Sequence, residues 1–174
     1  MTDTEAIRKA IDALTIQDVY LRESRLSMAS DYDPKHSEPP KLTNLAWGPK
    51  RARTIEAEDT TTKEKFTLWK VEFGTRCRLL KATELPENSE PKPEDVLVEC
   101  VATFVAEYRL NDSALEASAL DTFARHNVAY HIWPYWREFL HDVTALALLP
   151  RVTIPMHVFK AGPPTGPAGK DGKD

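Results

Sequence analysis

Histidines and carboxylates are the side chains of this sequence with the widest chemical use, and their spacing limits what they can do. A helical zinc site needs two imidazoles four residues apart, so that both rings project from one face. His126, His131 and His141 fall in one predicted helical region, and no two of them have that spacing. The candidates for an enzyme pocket with convergent titratable groups are His126, His131, Glu107 and Asp142. The sequence predicts no metal site and no cofactor.

Two cysteines, Cys77 and Cys100, each lie in a stretch of alternating apolar and polar residues. Neither stands beside a histidine in the sequence, and no serine lies in the Gly-x-Ser-x-Gly context of a hydrolase nucleophile. Cysteines in such stretches more often act as small buried apolar residues than as a disulfide or a metal pair. We therefore predict a structural role for both thiols.

The glycines are too few and too scattered to bind phosphate. Loops that cradle a nucleotide need several glycines close together, so that backbone N–H groups can approach the anion. Of the 6 glycines, only Gly48 and Gly74 precede Gly162. A dinucleotide-binding fingerprint and a nucleoside-triphosphate loop are both excluded.

Length, charge and hydropathy bound the class of protein. The chain has 174 residues, enough for one domain with a sizeable core. Its net charge of -4 argues against a main role in binding nucleic-acid phosphates. No segment approaches the roughly 18 unbroken apolar residues of a membrane-spanning helix, and no basic start followed by an apolar run marks a secretory signal. We expect a cytoplasmic protein with no nucleic-acid partner and no membrane insertion.

The first part of the chain predicts a helix followed by a strand. Residues 4–14 repeat apolar side chains at helical spacing. In the stretch that follows, Val19 and Leu21 point one way in a strand, while Leu26 and Met28 point the other. A change of phase of this kind predicts a β-bulge, because one extra residue reverses the alternation. The polar residues in the middle of the stretch are typical of a strand at a sheet edge or at an interface between subunits.

Two later stretches give the clearest strand signals. Residues 66–80 alternate strictly between apolar and polar side chains, which predicts a strand with one solvated side. Residues 96–110 carry apolar side chains on both alternating sets, which predicts a strand covered on both faces. The Pro- and Glu-rich segment between them favours an antiparallel hairpin. Before them, residues 30–50 predict an ordered surface loop and residues 51–57 a further strand.

The last part of the chain is predicted to be helical and then extended. A first helix precedes an apolar stripe that runs from Trp136 to Ala147, and Pro134 either kinks this helical region or begins a new helix. Pro155 confines the extended segment beyond it to a sheet edge. Residues 161–174 are rich in Gly, Pro and Lys and predict a disordered tail. Strands followed by helices predict an α+β fold with a helix layer over an antiparallel sheet.

Four short motifs follow one another along the chain, and their order carries information beyond each motif alone. They are IQDVYLRE at 16–23, Trp47-Gly48-Pro49, WPYWREFL at 133–140, and LPRVTIP at 149–155 with Phe159 beyond it. In this order they resemble the first strand, the end of the crossing loop, the start of the long helix and the closing segment of the SecB family of export chaperones and its relatives linked to toxin–antitoxin systems. The aromatic-Pro-Tyr-x-Arg-Glu segment is the most specific of the four.

The resemblance implies a single domain over residues 1–160, with a four-stranded antiparallel sheet and helices packed on one face. It implies a homo-oligomer in which dimers pair through the first strand and assemble as a dimer of dimers. It also implies an ATP-independent holdase chaperone that keeps unfolded or secretory polypeptides competent for translocation or assembly. The residues expected at the oligomer interface are Val19, Leu21, Trp136, Arg137, Leu140 and Val143.

The client-binding residues expected on this resemblance are aromatic or aliphatic. They are Leu42, Leu45, Trp47, Ile55, Tyr130 and Trp133. Two plainer interpretations stay open. Leu42, Leu45 and Trp47 could instead pin a long loop to the sheet. Tyr130 and Trp133 could belong to an interface or to the core, since large aromatic side chains dominate both.

Export-type members of the family also engage the SecA translocation ATPase through an acidic surface. Glu23 and Glu99 lie near two of the acidic positions, and Ser27 occupies a third. This departure, together with the Gly/Pro/Lys tail, makes SecA a doubtful partner and favours a solitary or toxin–antitoxin-associated relative. Two other functions stay open: a subunit dedicated to stabilising one antitoxin, and a small-molecule-binding α+β enzyme.

Overall fold

A computed structural model of the chain describes residues 3–86, 89–112 and 114–154. Its helices and strands are α1 (Asp3–Ala13), β1 (Leu14–Met28), β2 (Leu42–Glu58), β3 (Lys65–Leu80), β4 (Val96–Leu110), α2 (Ala117–His126) and α3 (Val128–Leu146). The four strands form one sheet in the order β1-β4-β3-β2, and every neighbouring pair is antiparallel. The predicted α+β fold with a four-stranded antiparallel sheet is confirmed.

One face of the sheet packs against the helices and forms the core. We call it the helix face, and we call the opposite side the outer face. Trp69 of β3 and Tyr108 of β4 lie opposite each other on the helix face. Phe123 of α2 meets these two rings at centroid distances of 6.1 Å and 5.4 Å. Phe104 of β4 meets Phe139 of α3 at 6.1 Å. Strand alternation therefore turns the large apolar side chains toward the helices and leaves the charged ones on the outer face.

β1 contains the bulge that its sequence predicts. Leu21 lies opposite Phe104 and Glu23 lies opposite Thr103, which makes Arg22 the extra residue. Because the alternation restarts after Arg22, both apolar pairs of the strand lie on the helix face. These residues are Val19, Leu21, Leu26 and Met28.

The structure corrects the predicted loop over residues 30–50. β2 begins at Leu42 and pairs with β3 throughout, so the second half of that segment is strand. Pro49 hides this strand in the sequence, because proline removes one donor of the hydrogen-bond ladder. The proline is tolerated because β2 lies at an edge of the sheet.

A bulge in β2 likewise decides which of its side chains share a face. The register shifts by one residue between Pro49 and Arg51, which makes Lys50 the extra residue. Alternation restarts after Lys50. Trp47 and Ile55, which an unbroken strand would place on one face, therefore lie on opposite faces of the sheet.

α3 runs through Pro134, so the alternative in which a new helix begins at this proline is wrong. Beyond α3 the side chains of Leu149 and Ile154 return to the core, although residues 151–154 form no strand. Residues 155–174, which include Phe159 and the predicted tail, lie outside the described residues. Within the described ranges, every helix is too short or too polar to cross a membrane.

Candidate functional site

Three tryptophans meet where the edge strand β2 approaches α3, and we call them the tryptophan cluster. Trp47 of β2 contacts Trp133 of α3 with ring centroids 5.1 Å apart and ring planes at 78°. Trp47 also contacts Trp136 at 6.0 Å, and the two α3 rings meet edge to face at 5.0 Å. Trp133 and Trp136 are 7% and 1% exposed, whereas Trp47 is 46% exposed. The cluster therefore has a buried base and one indole that presents about half of its surface to solvent.

The local sequence explains why Trp47 reaches the helix. It lies on the helix face opposite Thr75, a small side chain whose hydroxyl donates to the carbonyl oxygen of Ala102 at 3.2 Å. Small side chains at these two positions leave room above the sheet for a large ring. On α3, Trp133 and Trp136 are three residues apart and so project from the same side of the helix. The edge position of β2 leaves the far side of Trp47 uncovered.

Two more of the predicted client-binding residues border the tryptophan cluster. Leu45 shares the helix face of β2 with Trp47 and is half-buried against the core. Tyr130 is 61% exposed and precedes Trp133 by one turn of α3. The structure thus brings Leu45, Trp47 and Trp133 to one side of the sheet, with Tyr130 on the adjoining helical turn.

The other two predicted client-binding residues, Leu42 and Ile55, lie on the outer face of the sheet. Leu42 is out of phase with Trp47, and Ile55 lies opposite Leu68 on the outer face. For Ile55 the physical reason is the bulge at Lys50, which reverses the alternation of the strand. The fold therefore does not place all six predicted client-binding residues on one surface.

The predicted dimer strand, β1, carries exposed apolar side chains along its helix face. Leu21 is 42% exposed, Ile16 is 40% and Met28 is 36%, while Val19 is buried. β1 is also an edge strand, so these side chains border backbone groups that point away from the sheet. An exposed apolar strand edge of this length is typical of a surface that pairs with another chain.

The interface residues predicted on α3 do not share an exposed surface. Trp136 and Leu140 are 1% and 0% exposed in the single chain, because both pack in its own core. Val143 is half-buried against the same core, and Arg137 is exposed. This corrects the predicted interface role of Trp136 and Leu140: both are covered within the chain's own core and offer no surface to a second copy.

The four candidates for an enzyme pocket do not converge. Glu107 lies on the outer face, where a lysine of β3 pairs with it. His131 lies on the helix side of the sheet, where its Nδ1 is 2.9 Å from the Tyr108 hydroxyl and burial lowers the pKa of the imidazole. His126 ends α2, and Asp142 is exposed about three turns beyond His131 on α3. The described residues contain no group of three or more His, Cys, Asp or Glu placed to hold a metal ion.

Comparison with solved structures matches this whole arrangement of strands and helices. The SecB-like chaperone Rv1957 of Mycobacterium tuberculosis, solved in complex with a ChAD peptide from the HigA1 antitoxin, superposes with a TM-score of 0.62. The match covers 90% of this chain and 96% of that chain at 15% sequence identity. This chain has a SecB-like fold.

The other comparisons add little to this result. A protein of unknown function from Streptococcus agalactiae matches with a TM-score of 0.38 and 10% identity, over 82% of this chain and 97% of that chain. No protein-family model and no curated protein sequence matches the chain. The resemblance to SecB seen in the four motifs is therefore supported at the level of the fold.

On the outer face of the SecB-like sheet, arginines surround one of the two acidic residues predicted to contact SecA. Arg25 donates to the Glu99 carboxylate at 3.1 Å, and Nε of Arg78 donates to it at 2.7 Å. Arg78 also pairs with Glu90 at 2.6 Å. Glu23 is exposed on β1. Because two arginines neutralise Glu99, this part of the face is not an acidic surface.

In the core of the SecB-like fold, Cys77 and Cys100 lie opposite each other on β3 and β4 as free thiols. Burial raises the pKa of Cys77 to about 12 and that of Cys100 to about 11. The thiolate is the nucleophile and the metal ligand, so neither cysteine is activated for such chemistry. Both behave as the small buried residues that the sequence predicts.

The sequence did not predict three residues at the surfaces where the structure places them, which are the tryptophan cluster and the exposed edge of β1. Trp136, predicted at an interface, lies in the base of the tryptophan cluster. Its spacing from Trp133 was the available signal, since residues three apart share a side of a helix. Ile16 and Met28 extend the exposed edge of β1, and the change of phase in that strand was the signal for Met28.

Proposed function

We propose that this chain is an ATP-independent holdase that binds unfolded polypeptide at the tryptophan cluster. The observation that carries the proposal is the state of Trp47, which is 46% exposed although Trp133 and Trp136 hold it in place. A large aromatic surface that is already ordered binds apolar side chains at a low cost in conformational entropy. The absence of a phosphate-binding glycine motif in the sequence is compatible with binding that uses no nucleotide.

The edge of β2 supplies the second element of the proposed binding mode. Backbone N–H and C=O groups of an edge strand point away from the sheet, and an extended client can pair with them whatever its sequence. Leu45 and Trp47 project from this edge two residues apart, which is the spacing of side chains on one face of an extended client. The mode therefore favours extended segments with alternate apolar residues.

Oligomerisation would multiply these weak contacts. We propose that two chains pair along β1, where Ile16, Leu21 and Met28 are exposed, and that two such dimers assemble further. Arg137 and Val143 are the candidates for contact between dimers. Linked sites convert a second binding event into an intramolecular one, so one long client that spans several sites is held far more tightly than a short peptide.

A subunit dedicated to one antitoxin is the second candidate function. It is favoured by the Mycobacterium tuberculosis neighbour, a SecB-like chaperone solved with a peptide from an antitoxin. The two functions differ in breadth: a holdase captures many unrelated clients, whereas a dedicated subunit binds one partner tightly.

Suppression of aggregation tests the proposal. Citrate synthase is heated without nucleotide in the presence of a stoichiometric amount of the protein, and light scattering is followed. We expect scattering to fall strongly relative to the same amount of lysozyme, and we expect the same for a second, unrelated client such as luciferase. Unchanged scattering with both clients would contradict the proposed holdase.

A further inference from the structure

The outer face of the sheet carries a concentration of positive charge in a chain whose net charge is -4. Strand pairing and ion pairs place five cationic side chains around two carboxylates near the middle of β2 and β3. We call them the basic patch: Arg22, Lys50, Arg51, Arg53 and Lys70, around Glu72 and Glu107. The patch lies on the opposite side of the sheet from the tryptophan cluster.

The two carboxylates are already occupied. Arg51 pairs with Glu72 at 2.7 Å and Arg22 pairs with the same carboxylate at 3.1 Å, which holds the pKa of Glu72 below its ordinary value. Lys70 pairs with Glu107. The patch therefore retains a surplus of positive charge after its internal ion pairs are formed.

Two cations of the patch lack a carboxylate within ion-pair distance among the described residues. The side chain of Lys50 extends along the outer face over β3 and donates to the Thr103 hydroxyl of β4 at 2.9 Å. Arg53 is exposed on β2 and has no hydrogen bond to a described acid. Asp18 of β1 lies three strand spacings from Arg53, whereas Glu23 lies opposite Thr103 and is therefore one strand spacing from the hydroxyl that Lys50 reaches. Three strand spacings are roughly 14 Å, beyond a Debye length at physiological salt, so Asp18 leaves the charge of Arg53 uncompensated.

The bulge at Lys50 creates this patch. In an unbroken strand Arg51 and Arg53 would follow Trp47 onto the helix face, where burial of their charge would be costly. The extra residue turns both side chains to the outer face and leaves them two residues apart along a strand edge. Their repeat, about 6.8 Å, equals that of alternate side chains on an extended peptide.

We propose that the basic patch docks an extended acidic segment of a partner protein, separate from the apolar client surface on the helix face. Charge complementarity selects the acidic chemistry, and the matched repeat along β2 selects an extended segment. A single-stranded nucleic acid fits less well, because its binding sites stack successive bases on several aromatic side chains, whereas one exposed aromatic residue, Tyr20, borders the patch at Glu107.

A peptide-binding experiment tests this docking site on the full chain. A fluorescein-labelled peptide of alternating Glu and Ser is titrated with the protein, beside peptides of alternating Gln and Ser and of alternating Lys and Ser. We expect binding of the Glu peptide only, weakening with added salt. We expect Arg53→Glu to weaken this binding about five-fold, since an exposed ion pair is replaced by a repulsion of similar size.

Arg8→Glu is the matched control, because Arg8 is an exposed residue of α1 and the change in charge is the same. We expect it to leave the affinity for the Glu peptide unchanged. Equal binding of the Gln peptide, equal effects of Arg53→Glu and Arg8→Glu, or tighter binding of labelled oligodeoxythymidine would each overturn the proposal. Circular dichroism confirms that both variants are folded.

The aggregation assay separates this proposal from the holdase. Arg53→Glu is expected to suppress aggregation as well as the wild type while it loses the Glu peptide, because the two surfaces lie on opposite sides of the sheet. A wild-type chain that binds the Glu peptide but suppresses no aggregation would refute the holdase and support the docking site.

Discussion

Trp47 and Trp133 join the edge strand β2 to α3 through an edge-to-face contact, with ring centroids 5.1 Å apart. The same Trp47 side chain leaves 46% of its surface exposed. One residue therefore contributes both to the packing of the sheet edge against the helix and to the surface that we propose for clients. Substitution at this position affects stability and binding by different amounts, depending on how much of the ring is kept.

Trp47→Ala is expected to lower the free energy of unfolding by about 1–2 kcal/mol, because it removes a partly buried ring and its aromatic contacts. Trp47→Phe keeps a ring against α3 and is expected to cost less than half as much. Urea denaturation followed by circular dichroism measures both. Equal losses for the two variants would show that the contact with Trp133 does not hold Trp47 in place.

His131 makes the stability depend on pH. In the tautomer with its proton on Nε2, its Nδ1 accepts from the Tyr108 hydroxyl at 2.9 Å, and burial lowers the pKa of His131 in the folded chain. The unfolded chain therefore takes up this proton first as the pH falls below about 6.5, and stability declines from there downward. Urea denaturation at pH 7.5 and pH 5.5 measures the decline.

His131→Asn is the variant that isolates this effect, since its side-chain oxygen can accept from Tyr108 but does not titrate. We expect the loss of stability between the two pH values to be smaller in the variant than in the wild type. An equal loss in both proteins would assign the pH dependence to other groups.

Gly74 and Lys50 are coupled across the outer face. A Cβ at position 74 would lie 2.5 Å from Cε of Lys50, so Gly74→Ala displaces the lysine from Thr103. We expect Gly74→Ala to be neutral or to destabilise the wild type by about 1 kcal/mol. In a Lys50→Ala background it should stabilise by about 0.5–1 kcal/mol, because alanine is favoured over glycine within a strand.

A double-mutant cycle in urea measures this coupling. Additive free energies for the two substitutions would mean that Lys50 does not lie over Gly74.

The thiols of Cys77 and Cys100 should be unreactive in the folded chain, because both are buried and their pKa values are raised. We expect no reaction with Ellman's reagent at pH 8 in buffer, and reaction of both thiols in concentrated guanidinium chloride. Rapid modification of the native protein would place at least one thiol at the surface.

β3 and β4 were predicted well from the sequence because the core on the helix face requires apolar side chains at alternate positions along most of their length. Between Trp69 and Leu79 each apolar side chain of β3 meets the core under the helices, so burial maintains the alternation. β2 was predicted poorly because Pro49 and the extra residue Lys50 interrupt its alternation. An edge strand tolerates both, and that position is a property of the assembled sheet rather than of the local sequence.

The candidate site was predictable only in part for the same reason. The spacing of Trp133 and Trp136 indicates that they share one side of a helix, and the resemblance to SecB pointed to Trp47. Their meeting depends on the register of β2 against β3, which sets Trp47 opposite the small Thr75. The separation of Ile55 from this surface depends on a bulge that no local motif announced.

Binding of a permanently unfolded polypeptide is the most direct test of the proposed client surface. Labelled, reduced and carboxymethylated α-lactalbumin is titrated without nucleotide against the wild type, Trp47→Ala and Tyr135→Ala, and fluorescence anisotropy is measured. Tyr135 is the matched control, since it is also 46% exposed and lies on α3 outside the tryptophan cluster. We predict that the wild type and Tyr135→Ala bind alike and that Trp47→Ala binds about tenfold more weakly, the loss typical of an interface hot spot. No binding by the wild type, or equal binding by all three proteins, would contradict capture of unfolded polypeptide at Trp47.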